Sequence, residues 1–99
     1  MKLNENVEGK LGYCIYINTL CEGPVPIERN EKGMPVVYFQ LVEAQRSIAE
    51  DVIERLRQFL EGYRDFEDAM TVEEYIQKVR VFADGSILDE NGARFGKRG

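Results

Sequence analysis

From Ser47 to Glu67 the apolar residues fall at Ile48, Ala49, Val52, Ile53, Leu56, Phe59, Leu60 and Tyr63. That is the i, i+3, i+4, i+7 stripe of an amphipathic helix. The other positions carry Glu50, Asp51, Glu54, Arg55, Arg57, Gln58, Glu61 and Arg64, with Asp51 four residues before Arg55 in a favourable ion-pair order. Ser47 followed by Glu50 predicts the start of the helix as a capping box. Gly62 offers a stop, and the pattern also permits a continuation to Phe66. A helix with one apolar side needs a surface to cover, and the flanking segments supply candidates.

Lys10 to Leu20 alternates as a strand. Leu11, Tyr13, Ile15, Ile17 and Thr19 share one face; Gly12, Cys14, Tyr16 and Asn18 share the other. Met34 to Val42 reads as a second strand, with Val37, Phe39 and Leu41 on an apolar face and Val36, Tyr38, Gln40 and Val42 on a mixed one. Placed side by side, the two strands present Tyr13, Ile15 and Ile17 with Val37, Phe39 and Leu41 as the surface that receives the helix. Between them Pro24 and Pro26 rule out a central strand, since each lacks an amide donor. A short edge strand over residues 25–29 remains compatible, and Asn30-Glu31-Lys32-Gly33 predicts a turn. After the helix, residues 65–70 form an acidic connection. Residues 71–81 carry helical spacing at Val72, Tyr75, Ile76 and Val79, yet β-branched residues dominate as the run enters Asp84-Gly85, a strong hairpin signal. The expectation is a strand over residues 74–83, a return over 86–89, a turn at Asn91-Gly92 and a short strand over 93–95.

The predicted fold is α+β: two layers, an antiparallel sheet of four to five strands with one long amphipathic helix packed on one face, in ββαββ order. The 99 residues form one domain, residues 1–99, with 1–8 and 96–99 as flexible ends. No apolar run reaches the length needed to span a bilayer, and the first residues lack the hydrophobic region of a secretion signal, so the chain reads as cytoplasmic with no membrane partner.

Charge changes the picture only in its distribution. The net charge is −5; residues 43–74 hold four basic and ten acidic residues, whereas residues 75–99 hold five basic and three acidic. Histidine is absent, which removes the usual general base near neutral pH and any Ser-His-Asp or Cys-His arrangement. Two cysteines, Cys14 and Cys21, cannot complete a zinc site in one chain and read as free thiols. The acidic residues near Asp84, Asp89 and Glu90 lack the alternate spacing of a calcium loop, and their neighbouring glycines are explained by turns. The sequence therefore predicts no metal, no cofactor and no enzymatic activity.

The remaining candidate chemistry lies on the second sheet face. If Val79 and Val81 point at the helix, then Tyr16, Val36, Tyr38, Lys78, Arg80 and Phe82 point away from it, and one helix cannot cover both faces. An uncovered apolar and aromatic face suits a homodimer or another protein partner. The expected function is thus a non-catalytic interaction or assembly module. Tyrosines among basic residues also suit single-stranded nucleic acid, the alternative reading. A small-ligand carrier with its pocket between sheet and helix is the third.

Overall fold

A computed structural model describes residues 9–96 of the chain. Of the expected flexible ends, 1–8 and 96–99, all but Gly96 lie outside the described residues. Five strands form one antiparallel, curled sheet: β1 (Lys10–Thr19), β2 (Gly23–Pro26), β3 (Tyr75–Val81), β4 (Ile87–Asp89) and β5 (Arg94–Phe95). Their spatial order is β2-β1-β3-β4-β5. Two helices, α1 (Leu41–Leu60) and α2 (Phe66–Met70), connect β2 to β3. The architecture is α+β with one long helix against the sheet, as the residue pattern predicts.

β1 is the organising strand. Its residues Cys14, Ile15 and Tyr16 are consecutive and all buried. Successive side chains of a strand point to opposite faces, so β1 is covered on both sides. On one side Tyr13, Ile15 and Ile17 share their face with Ile76 and Lys78 of β3, because Tyr13 pairs with Lys78 and Ile15 with Ile76. The helix α1 lies on this side, where Arg55 shares a cleft with Ile17 and ion-pairs with Glu74 at 3.0 Å. On the other side Cys14, Tyr16, Val79 and Ile87 form the buried cluster, packed by Met34, Val37, Tyr75, Val81 and Phe95. The core thus sits opposite the helix as well as beneath it.

Three expectations are corrected. Met34 to Val42 is not a second strand: the segment makes single bridges at Pro35 with Arg29 and at Tyr38 with Tyr13, then enters α1 at Leu41. Pro35 has no amide to donate, and the segment lies beside β1, where Tyr38 and Tyr13 exchange both backbone bonds while Met34 and Val37 pack on the cluster. The approach is close, because a Cβ on Gly12 would overlap Val37 Cγ1. Val37 therefore packs opposite the helix rather than beneath it. Second, Ser47 does not cap α1; the N-cap is Gln40 without a side-chain bond, and Ser47 Oγ donates instead to Glu28 at 2.9 Å. The residues Glu43, Ala44, Gln45 and Arg46 are good helix formers, and they carry the helix back to Leu41. Third, residues 66–70 form a short helix where the acidic run predicts a connection.

The other end of α1 matches its signal. Gly62 takes φ +87°, its amide donates to Phe59 and the Tyr63 amide donates to Gln58. This pairing satisfies the last free carbonyls, and it needs the left-handed conformation that glycine adopts without strain. The hairpins also match. Phe82 donates to Ser86 across Asp84-Gly85, and Asp89 donates to Ala93 across Asn91-Gly92.

Candidate protein interface

The six residues expected on one open face do not share one. Tyr16 is 0% exposed. Its hydroxyl donates to Asp89 Oδ2 at 2.6 Å, while Asp89 Oδ1 accepts from the amides of Asn91 and Ala93 at 2.9 Å each. Asp89, which reads as a turn residue in sequence, is therefore a buried carboxylate with three donors. Burial first, and then the bond to Asp89, push the Tyr16 phenol far above its ordinary value. Burial likewise pushes the Cys14 thiol up to about 12, helped by the charges of Asp89 and Glu28. Cys14 and Cys21 are both free, the first buried and the second exposed.

Tyr38 lies on the helix side. It bridges Tyr13, and its hydroxyl donates to Glu28 Oε1 at 2.8 Å while Ser47 of α1 donates to Glu28 Oε2. Glu28 so ties strand, connection and helix together. Val36 is half-buried, with its amide donating to the Glu28 carbonyl. Tyr16, Val36 and Tyr38 are thus removed from any open sheet face.

Lys78, Arg80 and Phe82 do stay together. The reason for the split is register: Tyr16 pairs with Tyr75, so Tyr75, Gln77, Val79 and Val81 follow Tyr16, while Lys78 and Arg80 follow Tyr13 and Leu11. One residue of parity inverts which β3 side chains meet the cluster. Across the sheet, Leu11, Arg80, Leu88 and Arg94 form a single row. The Arg94 guanidinium stacks over Phe82 at 5.3 Å. This half of the sheet is therefore basic, with Lys78 and Arg94 exposed.

A run of exposed apolar residues lies elsewhere, on α1. Ala44 is the one residue of α1 that is fully buried, and Ile48, Val52, Arg55 and Phe59 follow it at helical spacing as half-buried neighbours. Val42, Ile53 and Leu60 are 52, 60 and 79% exposed, Ala49 is exposed and Leu56 half-buried. At 3.6 residues per turn these five fall within an arc of about 60°. The apolar side read from the sequence is genuine but wider than the sheet beneath it. Its inner edge is covered and its outer edge is not. Tyr63, Phe66 and Met70 extend the exposed surface beyond the helix end.

A concavity of about 300 Å³ lies between α1, α2 and β1, lined by Ile17 and Ile27 among charges of both signs, including Arg55, Arg64, Asp68 and Glu74. No helix among the described residues is long and apolar enough to cross a membrane. No protein-family model, curated protein or solved structure matches the chain.

Proposed function

We propose that the protein is a non-catalytic interaction or assembly module that acts through the outer face of α1, associating with itself or with a protein partner there. The observation that carries this reading is the exposed run Val42, Ala49, Ile53 and Leu60 on a helix whose opposite side is buried. A contiguous apolar surface rimmed by charge marks a contact site more often than an idle one. Aromatic residues at its end, Tyr63 and Phe66, suit an interface rim, where such residues are enriched. The sheet face first expected to carry the contact does not support it, since Tyr16 is inside the core.

Sedimentation equilibrium tests this reading. Association in the micromolar range, abolished by Ile53→Asp with the circular dichroism spectrum unchanged, is the expected result. A strict monomer at high micromolar concentration that also captures no protein through this face contradicts it.

One arrangement favours the second reading, single-stranded nucleic acid. Arg80 and Arg94 flank Leu88 in one row, with Lys78 and Phe82 on the same face. Aromatic and basic groups on a sheet can stack bases and pair phosphates. Three phosphate contacts predict a log-log salt slope of about −2. Titration of a labelled oligonucleotide at low salt should then give binding that Arg80→Ala weakens. No binding at low salt removes this reading.

A further inference from the structure

We infer that α1 pairs antiparallel with α1 of a second copy, with Ile53 of one chain against Leu56 of the other and Glu50 of one beside Arg57 of the other. This inference rests on the reading of the outer helix face as a contact surface and names its occupant.

Spacing supplies the first ground. Val42, Ala49, Ile53, Leu56 and Leu60 are separated by seven, four, three and four residues. Alternating steps of three and four are the seam of a two-helix coil, in which each apolar residue enters a gap between residues of the facing helix. Ile53 and Leu60 then occupy one class of seam position, and Val42, Ala49 and Leu56 the other. The helix spans twenty residues, long enough to hold several such layers.

Charge fixes orientation and register. Glu50 and Arg57 lie along one edge of the seam, at equivalent places one heptad apart. In an antiparallel pair, positions on this edge face the same edge of the partner helix. Glu50 of each copy then meets Arg57 of the other, giving two opposite-charge contacts related by the twofold axis. In a parallel pair this edge faces the opposite edge, which holds Gln45, Val52 and Phe59, so neither charge finds its complement. Sliding the antiparallel pair by one heptad brings Glu43 beside Arg57, but it also sets Glu50 against Glu50 and moves Arg46 into the seam opposite Leu56. The register with Glu50 beside Arg57 joins apolar layers to opposite charges without a like-charge contact or an arginine in the seam. In it Ala49 faces Leu60 and Ile53 faces Leu56.

The surface is available for this. The Arg57 side chain is 58% exposed and ion-pairs with the exposed Glu54 of its own chain at 2.8 Å, a contact that a second carboxylate can share. The seam lies on the side of α1 turned away from Ala44, so no strand among the described residues obstructs it. The edge nearer the sheet adds Val52 and Phe59, half-buried within one chain and able to lose further water between two.

The test is a charge exchange read by sedimentation equilibrium on the whole chain. Glu50→Arg alone and Arg57→Glu alone each create two like-charge contacts, and each should weaken dimerisation at least about tenfold. The double exchange, Glu50→Arg with Arg57→Glu, restores complementarity and should return the dissociation constant to within about threefold of the parent. Both positions are solvent-exposed on the monomer, so circular dichroism should show the same helix in all four proteins. A parent dimer indifferent to the single changes, or weakened equally by the double exchange, overturns the antiparallel pairing while leaving self-association through α1 standing. A monomeric parent overturns the second copy as occupant, and the wider reading then depends on a foreign protein partner.

Discussion

Replacing Tyr16 by phenylalanine should lower the unfolding free energy by about 1.5–3 kcal/mol, the range for a hydrogen bond to a charged group. The ring remains, so packing around Val79 and Ile87 is preserved. What is lost is the donor to Asp89 Oδ2 at 2.6 Å, inside a site where Asp89 is only 6% exposed. A carboxylate oxygen left there without water or donor carries its desolvation cost uncompensated. Tyr16→Ala adds a cavity beside Cys14 and should cost about 3–5 kcal/mol, a large share of what a domain of this size has. Urea unfolding checks both. A Tyr16→Phe change within about 0.5 kcal/mol of the parent would show that the Tyr16–Asp89 contact does not organise the sheet.

The same pair carries a dependence on pH. The Tyr16 phenol is raised from its ordinary value of 10.0 by burial and by Asp89. The folded state therefore holds this proton more tightly than the unfolded chain. Its contribution is complete below pH 10 and declines as pH rises further, because the unfolded chain then ionises first. Tyr16→Phe should show a shallower loss of stability above that pH.

Cutting the pair between Arg55 and Glu74 is expected to be the second largest effect. Arg55→Ala leaves Glu74, whose side chain is 9% exposed, without its cation. Breaking a fully buried pair costs about 3–5 kcal/mol; Arg55 retains some exposure, so about 2–3 kcal/mol is expected here. Replacing both residues by methionine should recover most of this, since no lone charge remains. The bond from Arg55 holds the Glu74 carboxyl below the ordinary value of 4.5, against the opposing effect of burial. A lowered value means stability that is present above that pH and lost as pH falls through the folded-state value. Glu74→Gln should therefore flatten the acid limb of the stability profile. An acid limb unchanged by Glu74→Gln, together with no cost from Arg55→Ala, would contradict the role assigned to this pair in anchoring α1 to β3.

Much of this architecture is legible in the residues. The helix, its stop at Gly62, both hairpins and the strands around Ile15 and Ile76 follow from periodicity and turn chemistry. The two faces of the sheet do not. Tyr13 to Ile17 is an unbroken apolar run, and such a run marks a strand covered on both sides. Alternation is compatible with the same residues, so the run alone does not separate a strand covered on one side from a strand covered on both. The cover itself, Met34 to Val37, reads as a strand because Val36, Val37, Tyr38 and Phe39 have strand-like side chains. Its true path depends on the gap above Gly12, which no local pattern encodes. The parity of β3 depends on the Tyr16–Tyr75 register, and Asp89 looks like a turn residue until the fold brings Tyr16, 73 positions earlier, to its side.

The interface proposed for α1 follows from these displacements. Once loop and hairpin cover Tyr16, the sheet needs no second lid, and the bare apolar surface moves to α1. The helix stripe from Ile48 to Tyr63 was visible in sequence, but not how little of its width the sheet would cover. That depends on β1 being the main strand beneath it.

The central claim is that the outer side of α1 is the surface through which this protein makes contacts. Residue-resolved amide spectra recorded across a dilution series test it most directly. Shifts that change with concentration should cluster at Ala49, Ile53, Leu56 and Leu60, while Lys78, Arg80 and Arg94 stay still. Concentration-dependent shifts confined to the basic sheet row, with α1 unmoved, would contradict it.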